Sequence, residues 1–342
     1  MQPPLFIINP TCGTRKAGDE IAKLLARVDH LYGEVAVRYT ERRGHAEELA
    51  FAGVGAGHPL IVAVGGDGTF SEVVNGVLDA RDDGESRAAG VGDLAPAPDG
   101  GDLALGAEPA GAPGAPAVGL VSIGTGGDFR RTLGIGAGIE ASLEVLAAGA
   151  DRYVDVMRVE FRGRDGVTVR RWVANVVSAG LGGLVDLYME STPSFVPGRL
   201  GYYAAALRAA ARSRQRAVRT HITWQGETRE EIIPAYLIAV CNGRWFGGGM
   251  DVAPMAQLDD GRLEVVVVAS PTKPYLLRNI KSVYEGRHLD LPSVSHFPCE
   301  RIELGIEDAT AESSFLLDVD GDALGSLPLC VEVEPRRLLV RA

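Results

Sequence analysis

Leu60 to Val64 is an unbroken apolar run that stops at Gly65-Gly66-Asp67-Gly68-Thr69-Phe70. An apolar run with no polar alternation reads as a strand buried on both faces, and such a strand belongs in a parallel sheet covered by helices. Gly65, Gly66 and Gly68 tolerate positive φ and lack Cβ, so the backbone there can approach an anion closely. Ser71-Glu72-Val73-Val74-Asn75 begins a helix whose first N–H groups and dipole favour negative charge at the same place. In an open α/β sheet, the carboxyl end of a strand is where ligands bind. Asp67 would repel a phosphate, so it is expected to act through a metal ion or to position an incoming hydroxyl. Without further context the same residues also describe a tight strand-to-helix turn.

The rest of the N-terminal half repeats the alternation. Leu5 to Ile8 reads as a strand, Gly18 to Leu31 as a helix, Val35 to Tyr39 as a strand and His45 to Val54 as a helix. Residues 81 to 116 are rich in Gly, Ala, Pro and Asp without hydrophobic periodicity and are expected to be a mobile surface insertion. Ala117 to Ile123 restores a strand, and Ile139 to Ala148 reads as a helix. After Tyr153 the pattern turns to strands, over 154–161, 167–177, 217–224, 232–240, 263–269, 301–304, 315–319 and 329–333. One helix, Leu200 to Arg219, interrupts them.

The expected architecture is therefore a doubly wound α/β domain over 1–140, rejoined by about 334–342, and a mostly β domain, a sandwich, over 141–333.

Composition removes several classes. The 342 residues carry a formal net charge of −11, which argues against a nucleic-acid partner. Cys12, Cys241, Cys299 and Cys330 are far apart and form no CxxC pair, so neither zinc nor a disulfide framework is expected, and a reducing cytoplasm suits them. His45, His221, His288 and His296 have no ligand spacing. The N-terminus lacks a basic n-region and a long apolar h-region, and no stretch approaches the roughly 20 apolar residues that cross a bilayer. Against this acidic background, 199–219 contains Arg199, Arg208, Arg212, Arg214, Arg216 and Arg219 with no acidic residue between Glu190 and Glu227. A basic, partly apolar helix can lie on an anionic membrane surface, and a solvated helix face is the equally simple alternative.

Neither a GxxxxGK[ST] loop nor the protein-kinase motif set is present. The segment Gly65 to Gly76, GGDGTFSEVVNG, instead resembles the nucleotide loop of the diacylglycerol-kinase catalytic family, which includes sphingosine kinases and bacterial soluble lipid kinases. The resemblance runs in order along the chain. Asn9-Pro10 is similar to the family's N-terminal Asn-Pro, and Thr40 stands where the family has a nucleotide-contacting threonine. Gly124-Thr125-Gly126-Gly127-Asp128-Phe129 resembles a Gly-Thr-x-Asn-Asp-Phe segment, with Gly127 in place of asparagine. Asn175 to Gly183, Gly247 to Pro254 and Asp259-Asp260-Gly261 follow. Asp320-Gly321-Asp322 resembles the family's Asp-Gly-Glu, with Asp322 one methylene shorter.

The resemblance implies an ATP-dependent lipid kinase with its active site between an α/β domain and a β-sandwich domain. ATP would contact Asn9, Pro10, Thr11, Gly13, Thr14, Thr40, Gly65, Gly66, Asp67, Gly68, Thr69, Phe70, Ser71, Glu72 and Thr125. Asp320 or Asp322 would take the proton of the lipid hydroxyl, with Asp67 assisting. A structural Mg2+ would be held by Asp260 and the carbonyls of Gln257 and Arg262, and Asp186 would meet the lipid head group by analogy with sphingosine kinases. The chain is then expected in the cytoplasm, visiting the inner membrane surface through 199–219. Two alternatives share parts of this pattern: a NAD kinase, which has the same Gly-Gly-Asp-Gly-Thr loop, and a non-catalytic lipid-binding pseudokinase, consistent with Gly127 and Asp322.

Overall fold

The computed structural model describes residues 2–12, 17–88, 115–123, 127–190, 198–270, 272–306 and 315–342. The N-terminal lobe runs β1 (Leu5–Ile8), α1 (Ala17–Tyr32), β2 (Ala36–Tyr39), α2 (His45–Ala56), β3 (Leu60–Gly65), α3 (Asp67–Ala88), β4 (Ala117–Ser122), α4 (Asp128–Thr132) and α5 (Ile139–Ala148). β1, β3 and β4 are buried along their whole length, as unbroken apolar strands must be. Their side chains alternate between two cores. Phe6, Ile8, Val62 and Val64 pack on α1 and α5 through Leu24, Val28, Leu143 and Leu146. Leu5, Ile7, Ile61 and Ala63 pack on α2 and α3 through Ala50, Val73, Val77 and Leu78.

The parallel order β2-β1-β3-β4 matters for function. The strands are added on one side of β1 with β2 and on the other with β3, so the carboxyl ends of β1 and β3 flank a topological switch point, where open sheets bind ligands. Asn9 follows one end and Gly65 closes the other. α2 and α3 cross closely at Gly76, where a Cβ would lie 2.1 Å from the Glu47 carbonyl oxygen.

The C-terminal lobe contains β5 (Asp151–Gly163), β6 (Thr168–Val173), β7 (Val176–Gly180), α6 (Leu181–Glu190), α7 (Gly198–Arg212), β8 (Arg216–Trp224), β9 (Glu227–Ala235) and β10 (Leu237–Cys241). It continues with β11 (Trp245–Phe246), β12 (Met250–Asp251), β13 (Leu263–Val268), α8 (Lys273–Asn279), β14 (Val294–Cys299), β15 (Arg301–Gly305), β16 (Leu316–Val319) and β17 (Asp322–Arg341). This lobe is mostly β. One layer is β14-β13-β10-β7-β16 and the other is β6-β5 with β15-β8-β9, and both join through β17 around one apolar core. The far end of β17 pairs with β4, Val340 against Val118, so one continuous sheet links the lobes.

Four expectations change. Residues 81–88, expected in a surface insertion, extend α3, because the Arg81 guanidinium donates to the Arg337 carbonyl and Arg337 pairs with Asp82. The remainder of that segment, 89–114, is outside the described residues. The single strand expected over 167–177 is two: β6 pairs with β5, whereas β7 pairs with β10 and β16, and the chain changes layers at Ala174-Asn175. There the Asn242 side-chain amide donates to the Ala174 carbonyl at 2.8 Å. Likewise 232–240 divides into β9 and β10. Finally, the basic helix ends at Arg212, not Arg219. Its buried alanines stop at Ala210, and from Val218 burial alternates with period two, so Arg216 and Arg219 stand on β8.

Candidate functional site at the lobe interface

The glycines at the head of α3 do not use left-handed backbone: none of Gly65, Gly66 or Gly68 has positive φ. The conformational reason expected for them is replaced by a spatial one. A Cβ on Gly65 would lie 2.5 Å from Thr69 Oγ1, whereas among the described residues Cβ atoms on Gly66 and Gly68 would meet nothing within 4 Å. Gly65 makes room for Thr69, and Gly66 and Gly68 leave bare backbone at a helix N-terminus. Asn9 reaches across the switch point and donates from Nδ2 to Thr69 Oγ1 at 3.2 Å, while its Oδ1 accepts from the Thr11 N–H and hydroxyl at 3.0 and 2.8 Å. Thr40 ends β2, its N–H on the Ile8 carbonyl, and Pro10 is exposed beside Asn9. Gly13, Thr14 and Thr125 are outside the described residues. Phe70 departs from expectation: its ring is buried and stacks on Phe129 at 4.8 Å, so it braces the loop from the core side.

Two acidic residues also have duties other than those expected. Asp67 accepts the N–H groups of Gly127, Asp128 and Phe129 at 2.9, 3.1 and 3.4 Å, holding the N-terminus of α4 against the glycine loop. Glu72 accepts the N–H groups of Gly44 and Ala46 at 2.9 and 3.1 Å, one oxygen each, and so caps α2 instead of presenting a free carboxylate. Beside them a groove is lined by Arg43, Gly44, Gly68, Ser71 and Arg171. Arg43 and Arg171 were not singled out in the sequence, because single arginines in an α/β pattern carry no signal.

The C-terminal lobe contributes Asp320. Val319 and Asp322 pair across a two-residue hairpin, and Asp320 and Gly321 both have positive φ, 51° and 91°. That is a type I′ turn, for which Asp-Gly is a preferred pair. Asp320 hydrogen-bonds the Ser71 side chain and accepts the Val176 N–H at 3.4 Å. Burial pushes its carboxyl up to about 7, against the pull of Ser71 and the backbone N–H groups, and the negative charge of Asp67 adds to the rise. The turn thus sets a carboxyl group on the first turn of α3. Asp322 opens β17, and its side chain is outside the described set.

Residues that the sequence placed inside motifs without a role of their own hold this junction together. Asn75 makes a two-way clasp with the Trp172 backbone, donating at 2.8 Å and accepting at 2.9 Å, which fixes α3 on the β lobe. Asn175 donates to the Trp245 carbonyl at 3.0 Å. Asp128 accepts the Gly248 N–H at 2.7 Å, tying α4 to the positive-φ loop Gly247–Gly249, and burial and then Asp67 hold its carboxyl above the usual range.

The comparisons with known proteins follow this division of the molecule. Residues 3–159 match the diacylglycerol kinase catalytic domain, and residues 175–342 match the YegS C-terminal NAD kinase beta sandwich-like domain. The chain belongs to the diacylglycerol-kinase catalytic family. A probable lipid kinase YegS-like of Chromohalobacter salexigens is 27% identical over 307 residues, covering 89% of this chain and 82% of that protein. A diacylglycerol kinase of Staphylococcus aureus is 24% identical over 324 residues, covering 94% and 87%. The crystal structure of a putative diacylglycerol kinase from Bacillus anthracis superposes with a TM-score of 0.71 at 20% identity, covering 99% of this chain and 94% of that one, which shows the shared fold.

Three further expectations for this family member concern the C-terminal lobe. Asp260, expected with Gln257 and Arg262 around Mg2+, has Oδ2 2.8 Å from Arg262 Nε and Oδ1 accepting the Arg262 N–H at 3.3 Å. Its carboxylate is engaged by a guanidinium, and neighbouring Asp155 is satisfied by the N–H groups of Gly261 and Arg336, both at 2.7 Å. Among the described residues no group of three or more His, Cys, Asp or Glu is placed to hold a metal. In this arrangement the Asp260 carboxylate faces the Arg262 guanidinium. Asp186, expected to meet a lipid head group, is buried beside Asp318. An apolar cavity opens alongside, walled by Leu181, Gly182 and Val185 of α6 and by Val266, Leu276 and Ile280. On α7, Arg208 and Arg212 lie over the Tyr188 ring at 4.4 and 5.8 Å, next to exposed Leu187.

Proposed function

We propose that this family member is an ATP-dependent lipid kinase that transfers the γ-phosphoryl group to a lipid hydroxyl. The observation that supports it best is Asp320. A left-handed turn delivers a carboxyl group from the β lobe onto Ser71, at the N-terminus where a phosphate would rest. A carboxyl pushed up to about 7 is matched to accepting a proton at neutral pH. On this reading, the bare backbone of Gly66 and Gly68 receives the phosphates, with Asn9, Thr11, Thr40 and Thr69 around them. Arg43 in the adjoining groove supplies positive charge, beside Arg171, whose guanidinium is paired with Glu47 at 2.8 Å. Magnesium accompanying the nucleotide neutralises phosphate charge in such reactions. The residues of this chain supply alignment: Asp67 holds α4 against the glycine loop, Asn75 holds α3 on the β lobe, and Asp320 takes the hydroxyl proton.

The cavity beside α6 favours an acceptor with an acyl chain over a dinucleotide. Among the described residues no helix is long and apolar enough to cross a membrane, so the lipid is reached from the surface, with Arg208 and Arg212 facing anionic head groups. Incubation with radiolabelled ATP, magnesium, extracted lipids and NAD tests this. Label in a lipid, lost in Asp320→Asn, is the expected result. Label in NAD alone, or no turnover with any acceptor, would sink the reading.

A further inference from the structure

Asp318 lies on β16 opposite Ser178 of β7 and is completely buried. One of its oxygens accepts the Gly321 N–H at 2.8 Å, and Gly321 is the second central residue of the turn that presents Asp320. Asp186 of α6 is buried beside Asp318, and its negative charge acts on the Asp318 carboxyl. Two carboxyl groups buried side by side keep a proton on one of them, because like charges there cannot both ionise, and that proton can bridge them. The charged groups facing Asp318 are Asp186 from α6 and Asp320 from the turn. Burial first, then these negative neighbours, hold Asp318 well above the ordinary carboxylate range. α6 is packed tightly on this spot. A Cβ on Gly182 would lie 1.9 Å from Ser178 Oγ and 3.5 Å from Asp318 Oδ2. The same turn of α6, through Leu181, Gly182 and Val185, walls the apolar cavity.

We propose that Asp318 is a positioning residue for Asp320, and that its proton-sharing bond to Asp186 ties the base-bearing turn to the cavity wall. The inference rests on the lipid-kinase reading for its kinetic part and on the carboxyl pair alone for its spectroscopic part. Asp318 holds the Gly321 N–H, and Asp186 holds Asp318. An acyl chain filling the cavity braces α6, and through the pair it braces the turn. A short-chain acceptor leaves the cavity empty and gains nothing from the pair.

The experiment compares the wild type with Asp318→Leu, Asp318→Asn and the double variant Asp186→Asn/Asp318→Asn, using long-chain and short-chain diacylglycerol in mixed micelles. Asp318→Leu removes the acceptor for Gly321, and kcat for the long-chain lipid is expected to fall tenfold or more, roughly, with KM for ATP unchanged. The short-chain rate should fall by a smaller factor, because it loses the tie to Gly321 but has no filled cavity to brace α6. Asp318→Asn keeps an acceptor for Gly321 and gives Asp186 a donor, so it should restore most of the rate. The double variant removes the pair's negative charge, so the acid limb of the pH–rate profile should move down by about half a unit. A purely structural role would not move that limb. Infrared difference spectra of the wild type near neutral pH should show a protonated carboxyl band that the double variant lacks. Wild-type kcat in a folded Asp318→Leu, equal losses on both lipids, or absence of the infrared band would overturn the proposal. If the wild type phosphorylates no lipid, the function proposed above fails, and the infrared band still decides whether the pair exists.

Discussion

Asp67-Gly68 and Asp320-Gly321 are the same dipeptide placed after two buried strands, and the protein uses them in different ways. After β3 the chain keeps ordinary backbone angles and continues into α3, so Asp67 becomes the first residue of a helix. Its carboxylate is then taken up by three N–H groups of the segment that opens α4. After β16 the chain reverses through left-handed angles at both residues, and Asp320 hangs from a hairpin over the other lobe. Its carboxyl meets the Ser71 hydroxyl and the N–H groups of Val176 and Asn175, yet burial prevails and pushes it up to about 7. The first is a tie within one lobe, and the second is a buried carboxyl carried across to the other. Backbone angle, more than residue type, decides between the two.

Asp320→Asn breaks the comparison most sharply. A neutral amide cannot take the proton, and kcat should fall by roughly a thousandfold, while nucleotide binding measured by calorimetry stays within twofold or so. Asp67→Ala comes next. It removes the tie to α4, and the expected result is a loss of roughly a hundredfold in turnover together with about 1–2 kcal/mol of stability by denaturant titration. A variant that lost activity with unchanged stability would mean that Asp67 works in the chemistry itself.

The glycines give an intermediate effect. Gly65→Ala should lower stability by about 1–3 kcal/mol because its Cβ would press on Thr69. Gly66→Ala should leave the melting temperature alone and raise KM for ATP by roughly tenfold, since the only thing its Cβ obstructs is an incoming phosphate.

A pH titration sharpens the same contrast. Asp320 must be ionised to accept a proton, so the rate should reach half its plateau as pH rises through about 7. Stability runs the other way. Burial places the folded carboxyl above its unfolded value of ~3.9, so its stabilising contribution is complete below that value. That contribution is lost as pH rises through about 7. Asp320→Asn should flatten both curves. The smallest effect is expected at Arg212. Arg212→Ala should weaken binding to anionic vesicles by about fivefold, with turnover of a short-chain soluble lipid unchanged.

The sequence alone determined the alternation of strands and helices in the first lobe, the glycine loop after β3 and the β character of the second lobe. Those features are local: apolar runs, helical spacing and turn residues act within a few positions. Tertiary structure decided what each acidic side chain does. Glu72 stands within the best motif of the chain, yet its partners Gly44 and Ala46 are brought there by the packing of α2 on α3. Asp186 looked like a surface contact until α6 folded onto β16 and buried it beside Asp318. The end of the basic helix was equally hidden, because an arginine-rich stretch suits helix or strand, and only pairing with β9 and β15 drew residues 216–224 into the sheet. A carboxylate's role depends on which donors and charges surround it, and those arrive from parts of the chain far away in sequence.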